Sequence, residues 1–481
     1  MLLSALSFFF VYVLFFSAAT FKLFLLTVGF VFFIFCTTLL LTTNALTAVF
    51  SHHTLVYKFD FLNLTYSLLL DGITLYFILL TLLLLIVCTL LAWNLKYKSR
   101  DFLIILFFIN FFLVNVFAIS DLFFFYIFFE AVLIPMFLLI GVWGSRERKI
   151  SAAYQFFLYT LFGSIFMLIA IFFVYSHFGT TDFRIFLTFS LTLQRQLFFW
   201  LLFFFAIAIK VPMFPVHIWL PEAHVEAPTA GSVILAGILL KLGLFALLKF
   251  VFPAFASASI IYTPLVLLFA ILGIIYASCS TMAQIDMKKL VAYSSVAHMN
   301  FAVLGMFSFN FYGLVGSVAL MLSHGLVSSG LFLCVGSLYD RYKTRLFIYY
   351  GGLLRVMPIF SSFLFILVLA NMSFPGTFSF VGELLIFFGL IFVNFLVCIL
   401  AGSTMVFSAA YSLLFYTNTM LGNMNYFFIK SFSDVSRREF FMIGNLVFFT
   451  ILLGIFPNII LLVVEGNLSI YLDAAFSFFY R

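Results

Sequence analysis

The sequence predicts an all-α polytopic membrane protein with about fourteen transmembrane helices and two inverted five-helix repeats, each containing a broken helix. Three observations carry this expectation. First, of 481 residues 66% are hydrophobic and only 8% charged, with a mean hydropathy of +1.29; a soluble domain is roughly a quarter charged. This composition excludes a soluble enzyme, a disordered chain and a nucleic-acid module. Second, the apolar runs recur at the length of about 20 residues that a helix needs to cross a bilayer. Third, two of these runs are interrupted by proline at equivalent places.

The runs begin near residues 2, 22, 68, 102, 122, 152, 197, 228, 263, 290, 312, 358, 394 and 440, with polar punctuation between them. No soluble linker separates them, so residues 1–481 read as a single membrane domain. Within it, residues 1–100 supply N-terminal helices, 101–252 the first inverted repeat, 260–420 the second, and 421–481 a C-terminal loop and last helix. The basic residues test the helix count. Sixteen of the 23 lysines and arginines fall in connections from odd to even spans, and five (Lys58, Arg184, Arg195, Lys249, Arg481) on the opposite side. Cytoplasmic-type loops are enriched in Lys and Arg, and one miscounted helix would scramble the bias. The net charge of +7 therefore reports topology, and no nucleic-acid partner is expected.

The seventh run reads Ile209-Lys210-Val211-Pro212-Met213-Phe214-Pro215 and the twelfth Asn371-Met372-Ser373-Phe374-Pro375-Gly376-Thr377. A proline inside a helix removes one backbone hydrogen bond and clashes with the preceding turn. In hydrocarbon the freed carbonyls need protein or water, so such breaks line polar cavities. A separation of five spans is what two inverted repeats with discontinuous helices would give; two unrelated kinks are the alternative.

Four charges sit deep in apolar runs: Glu130, Lys210, Lys241 and Glu383. His298 and His324 are placed similarly. A charge at the bilayer centre costs about 2.5–3.5 kcal/mol on insertion scales and marks function by default. One Glu–Lys pair alone reads as a lock between two helices, but two acids, two lysines and two histidines on different helices exceed what one structural pair explains. These residue types suit proton relay. A Glu–Lys contact of about 4 Å is worth roughly 4 kcal/mol at an effective dielectric of 20, or about three pK units. Making and breaking it switches a base between holding and releasing a proton. His298 and His324 each have a second reading, a hydrogen bond to a neighbouring helix. His217 and His224 read as interfacial loop residues, and Glu222 and Glu226 as solvated.

Five dispersed cysteines form no CxxC pair, so no disulfide framework, metal site or cluster is expected. No GxGxxG or GxxxxGK[ST] pattern offers a nucleotide site. The first basic residue is Lys22 and phenylalanine reaches 77 residues. Phenylalanine codons are T-rich, so the chain reads as organelle-encoded and inserted without a cleaved presequence.

Specific motifs add a family likeness. The stretch Tyr126–Gly144 with Arg146-Glu147-Arg148 and Tyr159–Ser164, and the segment Ala206–Gly243 containing Lys210-Val211-Pro212, His217–Pro228 and Leu239-Leu240-Lys241, carry most of it. Asp286–Ser295, His298-Met299, His324-Gly325-Leu326 and Gly382-Glu383-Leu384 add to it. Together they resemble the subunit 4 family, the antiporter-like membrane subunits of the proton-pumping NADH:ubiquinone oxidoreductase, respiratory complex I. The likeness covers roughly Asp71 to Leu421. Glu383 is diagnostic, because sister subunits usually carry lysine there. Cys279–Gln284 departs from the pattern, lacking an arginine that relatives often have.

This resemblance implies a multi-pass protein of the mitochondrial inner membrane with a central hydrophilic axis. Glu130 would tune Lys210, and protons would pass through Lys241 and His324 to Glu383 on the exit side, with His298 as a further candidate. It implies no cofactor in this chain; NADH, FMN, iron–sulfur clusters and ubiquinone would belong to partner subunits. Its partners would be neighbouring antiporter-like and accessory subunits and membrane lipids. The alternative is a subunit of a multisubunit cation/proton antiporter without redox chemistry.

Overall fold

Apolar runs of this length satisfy their backbone in hydrocarbon only by coiling, and the computed structural model, which describes residues 18–42, 56–59, 64–182, 191–424 and 431–476, is a helical bundle. The first helix, α1, spans Ala18–Thr42. A short antiparallel hairpin follows, β1 (Val56–Phe59) with β2 (Leu64–Ser67), an element not anticipated from the apolar runs. Next come α2 (Gly72–Leu91), α3 (Ser99–Ala118), α4 (Leu122–Ala131), α5 (Leu133–Trp143), α6 (Lys149–Phe178), α7 (Leu193–Lys210) and α8 (Trp219–Glu226). The central helix α9 (Thr229–Ala254) contains two π-helical segments, Leu235–Leu239 and Leu247–Val251. The second half comprises α10 (Ala256–Ile261), α11 (Thr263–Met282), α12 (Met287–Met306), α13 (Phe311–Tyr342), α14 (Pro358–Asn371), α15 (Phe378–Val393) and α16 (Phe395–Met420). Two more helices, α17 (Arg437–Ile455) and α18 (Asn458–Phe476), follow.

Among the described residues, eleven helices are long and apolar enough to cross a membrane, with three shorter apolar ones, α14, α15 and α18. The run near residue 2 lies outside the described residues. The runs from residue 22 onward each find a helix or a broken pair. A single last helix was expected after residue 421, whereas α17 and α18 are separate helices joined at Phe456-Pro457.

Burial sorts the helices into an interior and a ring. The apolar windows of α9 and α13 are wholly buried, against 28% for α16 and α17. Helix α12 is less apolar than its neighbours but buried over nearly its whole length. Buried ionisable residues, Lys241, Lys249, Lys288, His298 and His324, thus lie on α9, α12 and α13, while the ring helices turn side chains such as Phe162, Phe172, Phe392, Phe395 and Phe448 outward. With no water outside, outward apolar residues are the lipid-facing surface rather than a packing error.

Both broken spans are present. Helix α7 ends at Lys210, and the chain turns through residues 211–218 before α8. Helix α14 ends at Asn371, and residues 372–377 lead into α15 through Gly376 at φ +94°. The loosened carbonyls find side-chain partners: Trp219 Nε1 donates to Ile209 O at 3.0 Å, and Ser379 Oγ donates to Ala370 O. A subtler break separates α4 from α5 at Val132. Pro135 cannot donate to the carbonyl of Ala131, so the ladder lapses one residue after Glu130.

Helices α13 and α15 pack backbone to backbone through glycines. A Cβ on Gly316 would sit 2.8 Å from Gly382 O and from Ile386 N, where neither neighbour can yield. Gly316→Leu is expected to cost at least the roughly 1–3 kcal/mol typical of overpacking. Thermal unfolding of the detergent-solubilised protein checks this; a wild-type melting temperature would contradict it.

Candidate functional site: a buried line of acids and bases

The interior helices hold a string of ionisable groups. Glu130 occupies the last turn of α4, beside the lapse at Val132, and interacts with Ser164 of α6. Its Oε1 has no hydrogen-bond partner among the described residues. Lys210 is the C-terminal residue of α7, where the negative end of the helix dipole favours a cation; it is buried, and its ammonium lies 4.0 Å above the Phe129 ring. The two charges interact through space without closing a direct ion pair. The direct 4 Å Glu–Lys contact expected from sequence does not form among the described residues; the Lys210 ammonium lies over the Phe129 ring.

Lys241 lies two residues beyond the first π segment of α9. Its ammonium donates to Ala236 O inside that segment and meets His324 Nδ1 of α13 at 2.8 Å. A π bulge widens the helix and is frequent at functional sites; here it lets a lysine bend back onto its own helix and still touch a histidine. The His324 ring is 5.7 Å from that of His298 on α12. His298 Nδ1 in turn stands 3.2 Å from Glu383 Oε1, on the second turn of α15.

The structure thus brings Lys241, His324, His298 and Glu383 into one line across four helices and places Glu130 with Lys210 as a second group. The two groups touch through backbone: a Cβ on Gly243 of α9 would lie 3.4 Å from Lys210 Cβ. His298, one candidate among several by sequence, is the group that connects His324 to Glu383.

Other expectations are corrected. Glu222 is partly exposed and paired with Lys289 at 3.1 Å. Glu226 is not solvated: it is buried, with Oε1 3.0 Å from Arg345 Nη2. Arg345, 2% exposed, also donates to Val225 O at 2.7 Å and has Nε 3.6 Å from Asp286 Oδ2. His224 is likewise no interfacial loop residue. It is fully buried and stacked on Phe332, with centroids 4.8 Å apart. Lys249, counted as a loop charge, is buried and donates to Phe117 O and Ile119 O at 3.2 and 3.0 Å, capping the end of α3.

Sequence reasoning also missed Tyr411 on α16. Its hydroxyl is 3.4 Å from His298 Nε2. A signal was present: Thr404, Ser408, Tyr411 and Ser412 follow the i, i+4, i+7, i+8 spacing of one helix face in an otherwise apolar run.

Comparison with known proteins places this architecture. Residues 119–408 match the family model described as NADH:quinone oxidoreductase/Mrp antiporter, TM. NADH-ubiquinone oxidoreductase chain 4 of Acanthamoeba castellanii is 51% identical over 426 residues, covering 87% of this chain and 86% of that protein. The Arabidopsis thaliana chain of the same name is 52% identical over 408 residues, 85% and 82% of the two. A chain of respiratory complex I from Thermus thermophilus superposes with a TM-score of 0.86 at 29% identity, covering 95% of this chain and 98% of that one. A chain of the Mrp complex from Dietzia sp. shares the fold, with a TM-score of 0.82 at 17% identity over 95% of each.

Proposed function

This chain belongs to the NADH-ubiquinone oxidoreductase chain 4 family, the proton-translocating membrane subunits of complex I, and we propose that its protons travel the buried line Lys241–His324–His298–Glu383, with Glu130 and Lys210 setting the charge at its head. The single observation that carries this reading is the order of the four groups, Lys241 Nζ 2.8 Å from His324 Nδ1 and His298 Nδ1 3.2 Å from Glu383 Oε1, with the two histidine ring centroids 5.7 Å apart between them.

The geometry assigns each group a role. Lys241 holds a proton between a backbone carbonyl and an imidazole, so it can release that proton to His324 Nδ1 when a positive charge approaches. His324 and His298 pass protons without a net change, taking one at one ring nitrogen and yielding one at the other. Glu383 receives the proton as the terminal acid. Glu130 lies near Lys210 but is not in contact with it, so a small movement at Val132 or at the end of α7 would change their interaction steeply. That is how a charge arriving from a neighbouring subunit would be felt at Lys241.

Residues 101–252 and 260–420 act as the two inverted repeats, each presenting its broken helix to the interior. In the whole assembly the redox reaction, with NADH, FMN, iron–sulfur clusters and ubiquinone, lies in partner subunits. This chain meets neighbouring antiporter-like and accessory subunits and lipid in the mitochondrial inner membrane, and its gene is carried by the organelle.

The test is proton uptake by proteoliposomes holding the whole complex, driven by NADH and a short-chain quinone. Lys241→Met is expected to stop proton movement assigned to this subunit while NADH oxidation by the extramembranous part persists with an artificial acceptor. Wild-type proton yield per NADH in an assembled Lys241→Met complex would defeat the reading. Sodium-dependent proton exchange without reductant would favour a cation/proton antiporter instead.

A further inference from the structure

His298 has both ring nitrogens engaged, and the two partners impose opposite demands. Nδ1 faces Glu383 Oε1 at 3.2 Å, and Nε2 faces the Tyr411 hydroxyl at 3.4 Å. An ionised carboxylate only accepts hydrogen bonds, and a neutral imidazole has one N–H and one lone pair. With Glu383 ionised, the His298 proton must therefore sit on Nδ1, which leaves Nε2 as an acceptor. The phenol O–H is the donor placed to meet it. Tyr411 is 1% exposed and belongs to α16, a ring helix that is otherwise mostly lipid-facing. A buried phenol on such a helix normally has a partner, and this one is a relay histidine.

We propose that Tyr411 is a positioning residue of the relay: its hydroxyl caps Nε2 of the Nδ1–H tautomer that Glu383 selects, so that the ring offers its proton to Glu383 and its Nε2 stays closed until the phenol turns away. This rests on the relay reading given above. The proton count closes. A proton arriving at Nε2 displaces the Tyr411 hydrogen bond, the Nδ1 proton crosses to Glu383, and the carboxylate becomes a carboxylic acid. Imidazole ends neutral with its proton on Nε2, Glu383 has gained one proton, and Tyr411 keeps its own.

The displaced hydroxyl needs somewhere to go, and the structure supplies it. A cavity of about 10 Å³ is lined by Ser278, His298, Glu383, Thr404, Ser408 and Tyr411. That is about the room one water requires, and a water needs two to four polar partners. The Ser408 and Thr404 side chains lie on the same face of α16 as Tyr411. The phenol therefore has an alternative partner at the wall of the cavity and is not stranded when Nε2 is taken. Two arrangements follow, one with Tyr411 donating to His298 and Glu383 ionised, the other with Tyr411 turned to the cavity and Glu383 protonated.

Tyr411→Phe tests this with the ring and its packing preserved. In proteoliposomes holding the whole complex, NADH-driven proton flux is expected to fall about fivefold, the factor that losing one net hydrogen bond represents, with the quinone KM unchanged. Infrared difference spectra of complex carrying ¹⁵N-labelled histidine provide a readout that a structural role would not move. The ring band of His298, assigned by its loss in His298→Gln, is expected to shift in Tyr411→Phe as Nε2 loses its hydrogen-bond donor, while the proton stays on Nδ1 opposite Glu383. Wild-type flux with an unmoved band overturns the proposal, and so does reduced flux with an unmoved band. Glu383→Gln run in parallel keeps the two readings apart. Normal pumping there defeats the relay itself, whereas arrested pumping there beside an unmoved His298 band in Tyr411→Phe defeats only the role given to Tyr411.

Discussion

Glu130→Gln is expected to arrest proton pumping in a complex that still assembles. The substitution keeps the size of the side chain and removes its charge. Lys210 then sits buried at the break of α7 with only the Phe129 face beneath its ammonium. A pair of opposite charges several ångströms apart contributes about 2–3 kcal/mol at an effective dielectric of 20. Losing it shifts the protonation balance at Lys210 by on the order of a hundredfold, and flux is expected to fall by a similar factor. Lys210→Met removes the other partner and is expected to have the same effect. The two together should be no worse than either alone, since a shared interaction can be lost only once. Proton yield per NADH in proteoliposomes, with assembly verified on native gels, decides the matter. Normal flux in assembled Glu130→Gln would leave the charge pair with an architectural role only.

Arg345→Ala is expected to be the most damaging single change to stability away from the relay. Arg345 joins the short helix α8, the start of α12 and the loop after α13 by contacts to Glu226, Val225 O and Asp286. Truncation removes the cation paired directly with Glu226, and removing one partner of a buried ion pair typically costs about 3–5 kcal/mol. Thermal unfolding of the detergent-solubilised complex, followed by retention of this chain, is expected to show early loss of the chain. Adding Glu226→Gln is expected to recover part of that loss, because the cost arises from the uncompensated charge. An unchanged melting profile for Arg345→Ala would show that the network is hydrated and weak.

Much of the line of buried groups could be read without coordinates. Glu130, Lys210, Lys241, His324 and Glu383 stand out because ionisable residues are expensive in apolar runs, and that cost is local to each run. The proline-broken spans were legible for the same reason: a missing N–H is a property of one residue. What failed was the reading of residues in polar stretches. Glu226 and His224 lie in a sequence that looks like a loop, yet α8 folds back under the bundle and buries both. Lys249 passed as a topology marker until α3 proved to end against it. Tyr411 was hidden because a tyrosine in an apolar helix carries no penalty that calls attention to it.

The order of the relay was equally invisible in the sequence. His298 and His324 are 26 positions apart on α12 and α13, and nothing in their spacing says that one ring lies between the other and Glu383. Nor does it say that the Lys210 ammonium lies over the Phe129 ring and not in direct contact with Glu130. Composition and periodicity by themselves determined that this chain lives in a bilayer, how its spans are divided and which residues are too costly to be there by accident, because those are free energies of transfer counted residue by residue. Tertiary structure alone decided which of these residues meet, because hydrogen bonds and charge interactions fall off over a few ångströms and depend on how helices distant in sequence are packed.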